Sequence, residues 1–405
     1  MSRILFKGGQ VFDGTGSDRA AGDVVVQDGR IVEIGTGLDG DVAVDCTGLT
    51  VLPGFFDCHV HVVMSGVDLL RGLQMPFSYQ FYEAARNLWR TLAQGITTVR
   101  DAGGADLGMR RAVADGLIPG PRMQISVNVI SQTGGHSDGW MPSGQCVSHW
   151  IPHPGRPAAI ADGPDEMRRV ARTLLRAGAE VLKVCTTGGV LSPGDDPRHS
   201  QFTPAELDVL VAEASMRGRY VMAHAQGAEG IKNAVRAGIR SIEHGIFLDD
   251  EAIELMLEHR TWLVPTLVAP LAVIRAAQAG AALPAEMVRK AEEVAEVHAA
   301  SVRRAVDAGV RIAMGTDSGV GPHGENLAEL ALMQSCGLTP AQVLAATTSS
   351  SADLLGYGGE LGKLAPGYRA DLVLASGDVY DFAALPGNIR QVWRDGNRLI
   401  GSTMD

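Results

Sequence analysis

The sequence contains no run of 18 apolar residues, so it offers no segment of the kind that spans a bilayer as a hydrophobic helix. Cysteine is scarce. The five, at positions 46, 58, 146, 185 and 336, are scattered and odd in number, with no CxxC pair. This argues against a disulfide framework or a structural zinc knuckle, and for a reduced, cytoplasmic chain. Positive charge is also short: 35 Lys and Arg stand against 46 Asp and Glu, a formal net charge of −11. Nothing therefore favours a nucleic-acid partner or an anionic membrane surface. The opening MSRILFKGGQVFDGTG turns polar and glycine-rich too soon for a secretory signal. Low-complexity tracts and long linkers are missing as well.

What is present suits a large enzyme. A chain of 405 residues with 45% hydrophobic content can form two ordinary domains, or one α/β barrel with an addition. The first fifty residues read as short strands, and Asp28-Gly29 between two β-branched runs signals a hairpin. The C-terminus repeats the pattern, with a strand in ADLVLASGD (370–378) and a turn at Asp395-Gly396. Between these ends lie eight short apolar runs, among them PGFFDCHVHV, EVLKVCTTGG, RYVMAHAQG, IRSIEHG and VRIAMGTDSG. Helical patterns separate most of them. Met167, Val170, Ala171, Leu174 and Leu175 share one helical face, and Thr203 with Glu206 and Thr339 with Gln342 form capping boxes, each followed by proline. The expected architecture is a (β/α)8 TIM barrel over residues 53–362, with a small β-sandwich built from residues 1–52 and 363–405.

In such a barrel the chemistry sits at the C-terminal ends of the strands. His59 and His61 lie two apart on the first run, so alternation turns both to the same face. Lys183 lies inside the fourth run, His224 ends the fifth, His244 the sixth and Asp317 the eighth. A lone strand-end histidine is usually structural, and Asp317 alone could cap a turn. Lys183 inside VLKVC is harder to dismiss, because an unpaired buried ammonium is costly. Six such residues at five strand ends favour one shared site. Four imidazoles and a carboxylate suit zinc or a similar divalent ion. A lysine carbamate, formed with CO2, would add an anionic bridge on which two cations and a hydroxide could meet.

These residues resemble the amidohydrolase superfamily: HxH on the first strand, a strand-four Lys, single His on strands five and six, and Asp on strand eight. DVVVQDGRIVEIG and LGKLAPGYRADLVLASGD are similar to its composite β-sandwich flanks. ISQTGGHSD, TGGVLSPGD, AHAQGAEGIKNAVRAGIRSIEHG and VPTL resemble the Xaa-Pro dipeptidase and imidazolonepropionase-like branch. The resemblance implies two divalent metal ions, zinc first among them. His59 and His61 would bind one, His224 and His244 the other, and carboxylated Lys183 would bridge them. Asp317 would bind the first ion and act as general base and proton shuttle. His136 would polarise or orient the scissile carbonyl. One departure stands out: this chain reads HAQG, with Gln226 where the dipeptidases often carry the Tyr associated with the substrate's α-carboxylate.

The implied reaction is hydrolysis of a C–N acyl bond of a small substrate, such as a dipeptide or N-acyl amino acid, by a metal-bridging hydroxide. A cyclic amide, a carbamate and a xenobiotic amide are the alternatives. A non-catalytic scaffold would have lost ligands, and a mononuclear deaminase usually lacks the bridging lysine. The substrate pocket is expected from strand-end loops holding Trp140, His149, Trp150 and His153, and then Arg198 and His199. Arg198 is the candidate for a substrate carboxylate. Trp140 and Trp150 are either pocket wall or anchors of their own loop. Cys185 shares a face with Lys183 but has no histidine in its motif to activate it, and Cys58 faces away as packing. Homo-oligomers are common in the family, so the resemblance implies one here.

Overall fold

A computed structural model describes residues 2–401 except 69, 70, 72, 73, 142, 148 and 149, so His149 lies outside the described residues. Strands from both ends of the chain form one eight-stranded sheet. They are β1 (Ile4–Val11), β2 (Ala20–Gln27), β3 (Arg30–Gly35), β4 (Val42–Asp45) and β5 (Leu49–Pro53) from one end. The barrel strands β6–β14 follow, and β15 (Leu372–Ser376), β16 (Ile389–Arg394) and β17 (Asn397–Ile400) complete the sheet. Its order is β17-β16-β15-β5-β1-β2-β3, with β4 paired to β1. Phe6 on β1 meets Trp393 on β16 with ring centroids 5.0 Å apart. Three strand spacings would separate them by about 14 Å in a flat sheet. The sheet therefore folds over onto its own core, which includes Val24, Val26, Val51, Leu372 and Leu374. Asp28-Gly29 and Asp395-Gly396 take positive φ at all four residues, as the tight hairpin turns β2–β3 and β16–β17 require.

The middle of the chain forms the barrel. β6 (Phe55–Val60), β7 (Ile96–Asp101) and β8 (Arg122–Ile125) pair in parallel. β9 (Val129–Ile130), β10 (Val181–Cys185), β11 (Tyr220–Ala225), β12 (Ser241–His244), β13 (Trp262–Val264) and β14 (Arg311–Ile312) continue it in order. β8 and β9 are two halves of one barrel strand: Val127 between them has φ 70, and Glu180 N–H donates to Ile125 O on the far side. The last strand runs on past Ile312 and closes against the first, where Asp317 N–H donates to His59 O and His61 N–H to Ser318 O. Eight parallel strand positions result, each buried on both faces as parallel strands are.

Helices cover the outside. The helix Pro164–Arg176 buries Met167, Val170, Ala171, Leu174 and Leu175, the stripe read from the sequence. Glu206 and Gln342 reach back to the backbone N–H of Thr203 and Thr339 at 2.7 and 2.8 Å. The folded sheet is fastened to the barrel by Arg122 of β8, which bonds Asp371 at 2.8 Å and Asp395 at 3.1 Å. Among the described residues no helix is long and apolar enough to cross a membrane.

Candidate metal centre

His59, His61, His136, Lys183, His224, Gln226, His244 and Asp317 line one cavity of about 800 Å3, mouth included. Alternation accounts for His59 and His61. It does not account for His244, because Glu243 beside it also points into the barrel. His244 has φ 76, and Thr266 and Asp317 at the next strand ends have φ 54 and 60. Left-handed backbone at non-glycine residues is costly and collects at functional sites. Here it swings each side chain round into the cavity mouth.

Each of the four strand-end imidazoles is tied on its outward nitrogen. His59 Nδ1–H donates to Glu243 Oε2 at 2.8 Å, and His61 Nδ1–H to Gly103 O at 2.8 Å. His224 Nε2–H donates to Gly188 O at 3.0 Å, and His244 Nδ1 bonds Thr266 Oγ1 at 2.7 Å. The first three partners only accept, so each takes its ring's N–H and leaves the other nitrogen turned towards the cavity. The rings gather closely: His59 and His244 centroids are 5.2 Å apart, and His224 and His244 4.6 Å. Asp317 Oδ1 lies 3.2 Å from His61 Nε2 and 3.4 Å from His59 Nε2, yet it is buried with no hydrogen bond of proper geometry.

Burial sets the charges. It holds His59, His224 and His244 well below the ordinary imidazole range, with the Lys183 charge adding to the effect. Burial also lowers Lys183, whose Nζ is 3.5 Å from His59 Nε2. At His61 burial is outweighed by Asp317, which raises it; His59 and His61 in turn overcome burial and hold Asp317 well below the carboxylate range. Three imidazoles kept neutral, a fourth held beside the buried Asp317 carboxylate, and an amine eased towards neutrality are a donor set that fits divalent cations. Ligand atoms of His59, His244 and Asp317 all lie within 4.8 Å of one another.

Beneath this cluster is a buried polar network that the sequence did not reveal. Arg100 donates to Glu243 at 2.9 and 3.0 Å, to Ser241 at 3.0 Å and to Cys58 O at 2.6 Å, holding the carboxylate that orients His59. A second network holds His136. Its ring stacks on His224 at 4.2 Å, and its Nδ1 lies 2.6 Å from Ser192 Oγ, which lies 2.5 Å from Asp195 Oδ1. The carboxylate can only accept, so Ser192 donates to Asp195 and accepts from His136 Nδ1–H. That leaves His136 Nε2 bare, and burial keeps the ring neutral. It can orient a substrate donor, and it polarises a carbonyl only after taking a proton. Lys290, buried, braces this loop by donating to Gly189 O, Ser192 O and Asp195 O at 2.6–2.9 Å. A Cβ at Gly189 would come within 2.2 Å of His136 Cε1, so only glycine lets the imidazole lie there.

The remaining residues divide. Trp150 is both wall and anchor: it stacks on His61 at 5.6 Å and donates to Asn128 at 3.0 Å. Trp140 is 56% exposed and lines a neighbouring pocket that shares His136 and Leu191 with the cavity. Arg198 does not line the cavity. Its guanidinium lies 3.6 Å from both Asp196 and Glu293 and over the Phe247 ring. His153 sits behind, 3.7 Å from Asp106, and His199 falls in the same exposed loop as Arg198. Burial pushes the Cys185 and Cys58 thiols up to about 12, which removes both as nucleophiles.

A closed parallel barrel with this donor set at its strand ends is the build of a metal-dependent hydrolase. Residues 50–399 match the model of the amidohydrolase family, and the chain belongs to that family, whose members hydrolyse carbon–nitrogen bonds. It is 35% identical over 367 residues to the ochratoxinase of Aspergillus niger, covering 87% of this chain and 76% of the relative. It is 25% identical over 398 residues to the imidazolonepropionase of Geobacillus sp. (strain WCH70), covering 87% and 83%. A crystal structure of a Xaa-Pro dipeptidase with methionine bound in the active site superposes with a TM-score of 0.90 at 32% identity, covering 99% of this chain and 100% of that one.

Proposed function

We propose that this enzyme hydrolyses the C–N acyl bond of a small amide at a centre of two divalent cations. The observation that carries it is the set of four imidazoles tied outward, their other nitrogens turned into one cavity beside Asp317 Oδ1. In this proposal His59, His61 and Asp317 would hold one cation and His224 and His244 the other, and Lys183, as a carbamate formed with CO2, would serve both. When bound, the cations, zinc by the donor set, polarise the carbonyl and lower the pKa of water towards ~7.

The side chains do the rest. Asp317 takes the proton of the attacking water and carries it to the leaving nitrogen, which spares the collapse from expelling an amide anion. His136, fixed by Ser192, orients the substrate through its bare Nε2. The buried wall, with Trp150 over His61, excludes bulk water. Dipeptides, N-acyl amino acids, cyclic amides, carbamates and xenobiotic amides are the substrate classes to be compared. The relatives bear the names ochratoxinase, imidazolonepropionase and Xaa-Pro dipeptidase, so one framework serves several substrates and supports the reaction more than any one of them. The proposal includes a barrel at 53–362 with a composite sheet domain at 1–52 and 363–405. It also includes a cytoplasmic setting, supported by five unpaired cysteines, and a homo-oligomer, which rests on the resemblance.

Elemental analysis of protein produced with zinc tests the centre. About two zinc ions per chain, falling sharply in Lys183→Ala, is the expected result for a bridged pair. One ion or none, unchanged by that substitution, overturns the bridge.

A further inference from the structure

We infer that the cavity is built for a neutral, apolar substrate that ends in a carboxamide rather than a free carboxylate, and that Gln226 is the residue that makes this choice. The inference rests on the hydrolytic proposal above and narrows it. Away from the metal-facing side chains the wall is mostly apolar: Met64, Trp150, Val190, Ile246, Val273 and Val294 outnumber the polar Ser137, Thr266 and His298. Among the described residues lining it there is no arginine, and the one lysine is Lys183 of the metal cluster. Arg198, in a strand-end loop, is turned to Asp196, Glu293 and Phe247.

Gln226 is 4% exposed, and its Oε1 is buried with no hydrogen-bond partner. An orphaned buried acceptor is costly unless something supplies a donor. Its backbone cannot drift to find one. Gln226 N–H donates to Thr187 Oγ1 at 3.0 Å, and its carbonyl accepts from Phe247 N–H at 2.8 Å. Behind it, the Cα of Gly227 is so close to the Arg198 carbonyl that a Cβ would come within 2.5 Å. The backbone is therefore held in place, and the side chain offers one acceptor and two donors to the cavity it lines.

A substrate carboxylate has no donor, so it would leave Oε1 unpaired while losing its own hydration beside a neutral amide. A carboxamide matches both halves of Gln226, giving N–H to Oε1 and taking N–H from Nε2. Sites built to pair a particular polar group reject the analogue that lacks it far more strongly than they reject a missing methylene.

The test is a matched pair on the zinc-loaded enzyme: N-acetyl-phenylalanine amide against N-acetyl-phenylalanine, followed by acetate release. The carboxamide is expected to have the higher kcat/KM by at least about tenfold. Gln226→Arg is expected to reverse that order, and Gln226→Leu to bring the two towards parity. Calorimetry with the uncleavable N-methylsulfonyl analogues of the same two compounds reads the preference without turnover. If neither compound is cleaved but the carboxamide analogue still binds more tightly, hydrolysis of N-acyl amino acids fails and this inference stands. Equal or better use of the carboxylate, or no binding of either analogue at millimolar concentration, overturns the inference.

Discussion

At the scale of single residues, much of the site lies in side chains that never meet the substrate. Thr266 is the simplest to probe, because its hydroxyl has one role here, at His244 Nδ1. Thr266→Val keeps the β-branched shape and removes only that partner. Zinc affinity, read by competition with a chelator, is expected to fall about tenfold to 100-fold. An unchanged affinity would show that His244 needs no orienting partner. Glu243→Gln should do more. It weakens the hold on His59 and leaves Arg100 buried without its counter-charge, so a loss of about 3–5 kcal/mol in stability is expected alongside the loss of zinc. Ser192→Ala separates position from metal loading. The zinc content should hold while kcat falls about 100-fold, because the ring loses the partner that sets its tautomer and angle. The six strand-end candidates were legible as residues in a row of motifs. Their partners were not: Gly103 and Gly188 act through backbone carbonyls, and Lys290 reaches Asp195 from a helix far along the chain.

At the scale of elements, strand ends and the loops behind them decide the geometry. Glu329, at the start of the helix Ala328–Ser335, accepts from Leu267 N–H at 2.8 Å and Val268 N–H at 2.9 Å, and so holds the turn that carries Thr266. Burial pushes this carboxyl up to about 8 from an ordinary 4.5, outweighing the two hydrogen bonds. Between those values the native chain keeps a proton that the unfolded chain releases. The contribution to stability is therefore full below about 4.5 and lost as pH rises through about 8, by at most ~1.4 kcal/mol per pH unit. Glu329→Gln, neutral at every pH, should flatten that slope in urea unfolding between about pH 5 and about pH 8. A slope unaltered by the substitution would mean that the buried carboxyl is ionised. The eight apolar runs located the barrel strands, yet RMQISVNVISQTGG reads as one unbroken strand. The structure interrupts it at Val127, a β-branched residue at φ 70, where no glycine or proline marks the break. Helix stripes and capping boxes were easier to read, since each is a local pattern whose partners lie within one or two turns.

At the scale of the whole molecule, Arg122 links the barrel to the sheet. Its side chain is mostly buried, and it meets Asp371, just before β15, and Asp395, in the β16–β17 turn, from the part of the chain made last. Arg122→Ala is expected to cost about 1.5–3 kcal/mol in chemical unfolding. A change confined to a few tenths would assign the fastening to apolar contacts instead. The β-rich ends were legible from the two Asp-Gly turns, but the pairing of β5 with β15 was not, because no local pattern joins residues so distant in sequence. That pairing also sets an order of events on the ribosome. β5 finds Pro53 opposite Leu372 only once the rest of the barrel has been made. At ~5–20 residues per second the wait is roughly 15–65 s. Throughout it, the growing chain displays an unpaired strand edge, so nascent protein is most exposed to misassociation at its oldest end.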